Sequence, residues 1–465
     1  MARRRVKRGR RKKSSFSLIL WILLLLIIIG GAFFAYTSPM FERVKPKIIA
    51  NSTISANAKS PITFKVEDNR GIKSAKVTLS SNGVEVPIYN QKFLINSKSK
   101  VVKVPLPKEV INSKNSTWSV IIEATDNSLW NFGLGNSATF VAKLLIDTTP
   151  PNVNLIANSQ TITKGGSGVV IYKVDDKNLK STYIDIGNNI TFKPIKYKKD
   201  NVYATLIAWP FNMDNFNPKI VAIDKANNKS IISLQIQKLD KVYKTSKIKA
   251  SDKFIDGKIT QLAQSDPEYA NIQDKLEKFK AVNELMRKKN EDLIHKYTKE
   301  VTPFNNKWDI KPFKPLKGST RVSDFGVKRY YYYKNPNNII STSYHVGYDF
   351  ASIKHDNIYS SNPGKVVFAS FNGIYGNMPI IDHKFGLYTL YGHCSSVLVK
   401  KGEDVRANQV IAKTGVTGLA LGDHLHFGIL VQGIEVLPLE WMKKRWIQEH
   451  INSVFMKANR ILGYN

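Results

Sequence analysis

Residues 422–429 read GDHLHFGI, two histidines one residue apart in an alternating run. A period of two is the period of a β-strand, so His424 and His426 share one face while Leu425 and Phe427 take the other. Working back along the chain, SYHVGYDF (343–350) puts His345, Gly347 and Asp349 on one face and Val346, Tyr348 and Phe350 on the other. In TLYGH (389–393) the same alternation gives His393 the face of Tyr391. Six of the eight histidines, His345, His355, His383, His393, His424 and His426, fall within these 82 residues. The surrounding stretch, 319 to 440, is built of short β-type runs and glycine turns (GKVVFAS, MPIIDH, QVIAKTG, HLHFGILV) and holds little that reads as helix. Two histidines and a carboxylate are a common zinc set, and three protein ligands with an open fourth position distinguish a reactive site from a structural one. Unliganded histidines beside such an ion can move protons. Any one of these elements alone is weak, since a lone HxH on a strand is more often surface or core than ligand; their combination carries the reading.

The order HxxxD, YGH, HLH closely resembles the M23 (lysostaphin/LytM-type) zinc peptidases, which cut peptidoglycan peptides. The likeness runs from RVSDFGVKR (321–329) through YGNMPIIDHKFGLYTLYGH (375–393) and VKKGEDVRANQVIAKTGVTG (399–418) to HLHF (424–427). It implies one Zn2+ per chain held by His345, Asp349 and His426, and catalytic roles for His393 and His424, with base and oxyanion stabiliser not distinguished. The implied activity is zinc-dependent endopeptidase cleavage of stem peptides or cross-links. The alternative is a non-catalytic adaptor of the same fold that activates a separate wall amidase; the presence of all five site residues favours the enzyme. Asp423 replaces the frequent proline before HLH, either orienting a ligand histidine or capping a turn. Cys394 follows His393 and is read as small-apolar packing rather than a nucleophile. His355 and His383 are read as loop and strand-end residues, His295 and His450 as solvated.

The rest of the chain sets the context. Residues 16–36, FSLILWILLLLIIIGGAFFAY, carry no charge and are long enough to span about 30 Å of hydrocarbon. They read as an uncleaved anchor in preference to a signal peptide, because Phe33, Phe34 and Tyr36 spoil a small-residue cleavage site. The basic arm 1–15 before them carries nine positive charges by residue 13 and no acid, which keeps the N-terminus inside by the positive-inside rule. The expected location is therefore the bacterial cytoplasmic membrane, single-pass, with residues 37–465 outside it.

Seventy Lys and Arg against 36 Asp and Glu give a formal +34, an excess that suits an anionic partner such as wall polymer; no nucleic-acid motif accompanies it. The only cysteine is Cys394, so there is no intramolecular disulfide.

Residues 40–146 and 147–240 read as two immunoglobulin-like β-sandwiches, from alternating runs broken by turn residues. They are also internally repeated: FKVEDNRGIKSAKVTL (64–79) is echoed by YKVDDKNLKSTYIDI (172–186), and EATDNSLWN (123–131) by VAIDKANNK (221–229). These sandwiches are expected to space the enzyme from the membrane and to offer surfaces to wall proteins. The pairs Glu67-Asp68 and Asp175-Asp176 are read as turn-forming acids rather than calcium ligands. Residues 250–302 predict a helical linker of two helices, the second capped at Ser265-Asp266 with Pro267 in its first turn, and one packed face formed by Leu276, Phe279, Val282, Leu285 and Met286. The fold class is thus mainly β and multidomain, ending in a LytM-type antiparallel peptidase domain (316–440) and a helical tail (441–465).

Overall fold

A computed structural model describes residues 15–57, 59–94, 97–112, 117–305 and 307–464. Residues 1–14 of the expected basic arm lie outside that set. The chain divides into two compact units: residues 1–149 with 225–228, and residues 150–224 with 229–465.

The first unit begins with the helix Ser15–Thr37. Its stretch Leu18–Thr37 is long and apolar enough to cross a membrane, and its large side chains are exposed throughout. A sheet of five strands follows, in the order Thr53–Ala56, Ser137–Ile146, Thr117–Asp126, Ile72–Ser81, Val84–Lys92; a second sheet pairs Lys47–Ile49, Ile62–Glu67 and Ser99–Val104. The inward residues of both sheets, among them Phe64, Val66, Val77, Leu79, Val104, Val120 and Ile122, form one core. The burial of Ile62–Glu67 alternates along the strand, as a half-buried antiparallel strand requires.

The second unit opens with two four-stranded sheets. One runs Ile195–Tyr197, Lys199–Ala208, Ser167–Asp175, Asn152–Asn158; the other runs Ile190–Phe192, Leu179–Gly187, Lys219–Asp224, Lys229–Ser233. Their core does not close on itself. It continues from Val153 and Ile171 through Trp308, Phe427 and Trp441 to Ala458, so these sheets, the histidine-rich sheet and the C-terminal helices pack as one body. Hydrogen bonds fix the junction: Trp441 Nε1–H donates to Ser167 Oγ at 2.9 Å, the Tyr197 hydroxyl to Asn459 Oδ1 at 2.6 Å, and Gln432 Nε2 to the Lys193 carbonyl at 3.0 Å.

Helices connect these sheets to the site. The chain passes through Asp252–Phe254, a π turn at Ile255–Ile259 and Thr260–Gln264, and then through one helical run from Lys275 to Thr298. The second helix therefore starts about ten residues later than the expected cap. Asp266 is held by Lys289 at 2.7 Å, and residues 266–271 form turns; the cap is Asp274, whose Oδ1 accepts from the Leu276 and Glu277 amides. Phe279, Val282 and Met286 form the packed face as expected, but Leu285 is 59% exposed and points to solvent.

The histidine-rich sheet has the order Thr320–Ser323, Tyr348–Ala351, Leu425–Val431, Leu387–Gly392, Asn377–Asp382, Gly364–Phe371, Asp404–Val405, with Ile434–Val436 beside Leu425–Val431, and its pairs are antiparallel. Its two central strands are buried at every residue. The alternation nonetheless sorts their side chains. Leu425, Phe427, Ile429 and Val431 join the core shared with the second pair of sheets, while Leu430, with Tyr388, Leu390 and Met378, packs on Phe279, Val282 and Met286 of the helical run.

His383 stands at the strand end the sequence suggests, just past Asn377–Asp382, and is buried in this core. Its Nδ1–H donates to the Pro363 carbonyl at 2.9 Å, and Nε2 lies 2.8 Å from the Thr389 hydroxyl. Burial pushes its pKa down to about 4. The folded value lies below the unfolded one near 6.5, so the stability conferred by keeping the ring neutral is complete above about pH 6.5 and is lost as pH falls toward 4, about 3 kcal/mol in all. Denaturant titrations at pH 7 and pH 4 are expected to show a drop about that much smaller in His383→Asn than in the native chain; equal drops would refute it.

His295 and His450 are half-buried and partnered rather than fully solvated. Glu435 lies 2.7 Å from His295 Nε2 and, against the opposing effect of burial, raises that imidazole above its usual value. His450 stacks on Trp446 and reaches Thr161 Oγ1 at 3.0 Å.

Candidate metal and catalytic site

The sheet register assembles the site. His426 pairs with Asp349 on one side and with Gly392 on the other, so a carboxylate and the turn leading to His393 flank it. His345 ends the strand Ile339–His345 and meets the same point from the neighbouring sheet. His345 Nε2 lies 3.0 Å from Asp349 Oδ1 and 3.1 Å from His426 Nδ1, and His426 Nδ1 lies 2.9 Å from Asp349 Oδ1. All three residues are buried.

The tautomers follow from their partners. His345 Nδ1–H donates to the Asp324 carbonyl at 2.7 Å, which leaves the Nε2 lone pair for the site. Three ligand atoms about 3 Å apart, two imidazole and one carboxylate, match the edges of a tetrahedral zinc site, whose donors at about 2.0–2.1 Å from the ion stand roughly 3.3 Å apart. The donor set therefore fits a small, borderline-soft cation.

Electrostatics agree. Burial raises the Asp349 carboxyl, but His345 and then His426 outweigh it and hold the group well below the usual carboxylate range. Arg329 adds a positive charge 3.7 Å from Asp349 Oδ2 and donates to Ser323 Oγ. Burial pushes His426 down to about 4.

His393 reaches the site by a route the alternation did not anticipate. The strand ends at Gly392, and His393 has φ of +64°, so its ring turns away from the face of Tyr391 and onto that of His426. The His393 and His424 rings lie 4.8 Å apart between centroids, and His393 lies 5.9 Å from His426. Each donates Nδ1–H to a backbone carbonyl, His393 to Thr417 at 2.8 Å and His424 to Gly422 at 2.7 Å; neither Nε2 is hydrogen-bonded among the described residues, and His424 Nε2 lies 3.8 Å from Asp349 Oδ1. Burial, then His424 and His426, lower the His393 pKa to about 3, which keeps the ring neutral at physiological pH.

Among the described residues Asp423 hydrogen-bonds no ligand histidine; its Oδ2 accepts from the His355 amide at 3.3 Å. His355 itself sits in a loop with φ of +58°. Cys394 is buried with its thiol pushed up to about 12, as packing requires.

Gly347 has a role beyond its place in HxxxD. A Cβ there would stand 2.6 Å from His426 Cε1 and Nε2 and 2.8 Å from the Phe427 carbonyl. Gly347→Ala is expected to displace the His426 ring and weaken metal retention about 10–100-fold, the usual scale for disturbing a ligand's support; competition with a chelator measures it, and native affinity would refute the displacement.

A cavity of about 730 Å³ opens on the site. Its walls include Arg287 and Phe254 of the helices, and Arg329, Tyr331 and Tyr375. The sequence reading assigned none of these five. Arg329 lies inside RVSDFGVKR, where a cation near the HxxxD strand was a usable signal; Arg287 and Phe254 carried none, because only tertiary packing brings the helices here.

Residues 343–438 match the sequence profile described as Peptidase family M23. Among characterised proteins, the chain is 39% identical over 99 residues to the peptidoglycan DD-endopeptidase ShyB of Vibrio cholerae, covering 21% of this chain and 22% of that protein. It is 37% identical over 101 residues to the murein hydrolase activator NlpD of Escherichia coli, covering 21% and 26%. The chain thus spans about a quarter or less of the length of these relatives. A crystal structure of a putative M23 peptidase from Pseudomonas aeruginosa is 17% identical and covers 62% of this chain and 96% of that one, with a TM-score of 0.39.

Proposed function

We propose, from the match of residues 343–438 to Peptidase family M23, that this protein is a zinc-dependent endopeptidase that hydrolyses peptide bonds in peptidoglycan. The observation that supports it most is the convergence of His345 Nε2, Asp349 Oδ1 and His426 Nδ1 beside two histidines whose Nε2 atoms take no hydrogen bond among the described residues. Zinc bound by these three residues supplies Lewis acidity toward the scissile carbonyl and the attacking water. The chain's own residues do the rest. One of His393 and His424, each pinned through Nδ1, accepts the water's proton at Nε2; the imidazolium so formed donates Nε2–H to the developing oxyanion and then gives that proton to the leaving amine. Arg287 and Arg329 in the cavity wall offer cations to stem-peptide carboxylates.

The apolar helix Leu18–Thr37 anchors the enzyme in the bacterial cytoplasmic membrane, residues 1–15 inside and the site outside, and residues 40–146 act as spacer. Digestion of defined muropeptides, with products weighed, tests the activity. A chelator is expected to abolish cleavage and one equivalent of zinc to restore it; a zinc-loaded protein that cuts no muropeptide would refute the enzyme.

The likeness to NlpD favours one other reading, an activator of a separate amidase. In that case His393→Ala, added to a cell lacking the protein, would restore wall separation as well as the native chain.

A further inference from the structure

A second group of acids stands outside this site. Glu42, Asp68 and Asp126 each bring a carboxylate oxygen within 4.8 Å of the other two. Asp126 is fully buried and Asp68 is 8% exposed.

Their hydrogen bonds leave one donor atom over. Asp126 Oδ1 accepts from the Ser128 and Asn136 amides, and its Oδ2 accepts from Asn136 Nδ2. Asp68 Oδ1 accepts from the Arg70 and Gly71 amides at 2.7 and 2.9 Å. Asp68 Oδ2, by contrast, is buried and receives no hydrogen bond among the described residues. No ion pair joins any of the three to a Lys or Arg among the described residues. A buried carboxylate oxygen without partner is costly, and two more carboxylates close by raise that cost unless a cation sits among them. Burial, with Asp126 facing it, already raises the Asp68 carboxyl above its usual value.

We propose that Glu42, Asp68 and Asp126 bind a calcium ion that ties the end of the apolar helix to the first sandwich. The ligands are all hard oxygens, Glu42 and Asp68 in connecting segments and Asp126 at the end of the strand Thr117–Asp126, and a spread of up to 4.8 Å suits an ion with bonds of about 2.3–2.6 Å; magnesium, at about 2.0–2.1 Å, draws its ligands closer and keeps more water. Asp68 is at once a turn-former and a ligand: Oδ1 closes the turn and Oδ2 is left for the ion. Its neighbour Glu67 turns to Lys65 instead. In the second sandwich Asp176 accepts the Asn178 amide, the turn role the sequence suggests, whereas Asp175 ends the strand Ser167–Asp175 and pairs with Lys173.

The location gives the ion a task. Glu42 lies five residues beyond the helix Ser15–Thr37, and its carbonyl accepts from Ser128 Oγ and Asn136 Nδ2, while the Met40 carbonyl accepts the Leu129 amide. Calcium would add a charged clamp to these neutral ties and fix how the first sandwich leaves the membrane helix.

Terbium luminescence, sensitised through tryptophan, tests this in the full chain in detergent with the histidine site loaded with zinc. Saturable emission at one equivalent, displaced by calcium and far more weakly by magnesium, is expected, together with a melting temperature about 4 °C or more higher in calcium than in a calcium chelator. Asp68→Asn, which keeps the turn-closing oxygen, and Glu42→Gln are expected to lose both responses yet still cut muropeptides. No terbium site, equal displacement by magnesium, or a calcium response unchanged in both variants would each overturn the proposal.

Discussion

His393→Ala is expected to keep its zinc and lose about 10²–10⁴-fold in peptide hydrolysis, the usual worth of positioned acid–base help. His393 touches none of the three ligand atoms; its Nδ1–H is spent on the Thr417 carbonyl and its free Nε2 faces His424 and the cavity. His424→Ala is expected to behave alike. The double variant should lose much less than the product of the two single losses, because residues acting as one unit are not additive. Metal analysis beside single-turnover cleavage separates the roles. A His393→Ala protein without zinc would make His393 a ligand, and one with native turnover would remove it from the mechanism.

A chain ending at Gln448 is expected not to fold. The missing helix Ser453–Leu462 and the turn before it bury Ile451, Val454 and Ala458. They also carry Phe455, whose ring lies 5.4 Å from Tyr197, 5.8 Å from Phe385 and 6.5 Å from Trp308. Each large side chain so buried is worth about 1.5–3 kcal/mol, so the loss is about 5 kcal/mol or more, the order of a whole domain's stability. Circular dichroism and gel filtration of the shortened chain check this. A melting transition like that of the full protein would show that the tail is an ornament.

What was legible in the sequence was local. The alternation in HLHFGILV did sort side chains onto two faces even though the strand is buried on both, because one face meets the sandwich core and the other the helices. Within HxxxD, His345 and Asp349 converge, and Gly347 is small for a reason visible only once His426 lies against it. The left-handed turn at His393 was not legible, since a strand pattern says nothing about where pairing stops. Nor was the late start of the second helix, where Asp266 closes a turn on the Glu268 amide and pairs with Lys289 while Asp274 takes the cap. The tail's docking was hidden too: the Ser167 hydroxyl that receives Trp441 lies 274 residues earlier.

That distance has a consequence for birth rather than for catalysis. The strand Asn152–Asn158 is made roughly 300 residues before the helix Ser453–Leu462 that packs against it. At about 5–20 residues per second, some 15–60 s of synthesis separate the two. During that interval the apolar flank of the second sandwich has no cover, and the sheet that carries the histidines cannot settle against it. That flank therefore stays open to solvent while the rest of the chain is made, and the histidine site reaches its final surroundings only after the C-terminal helix has been synthesised.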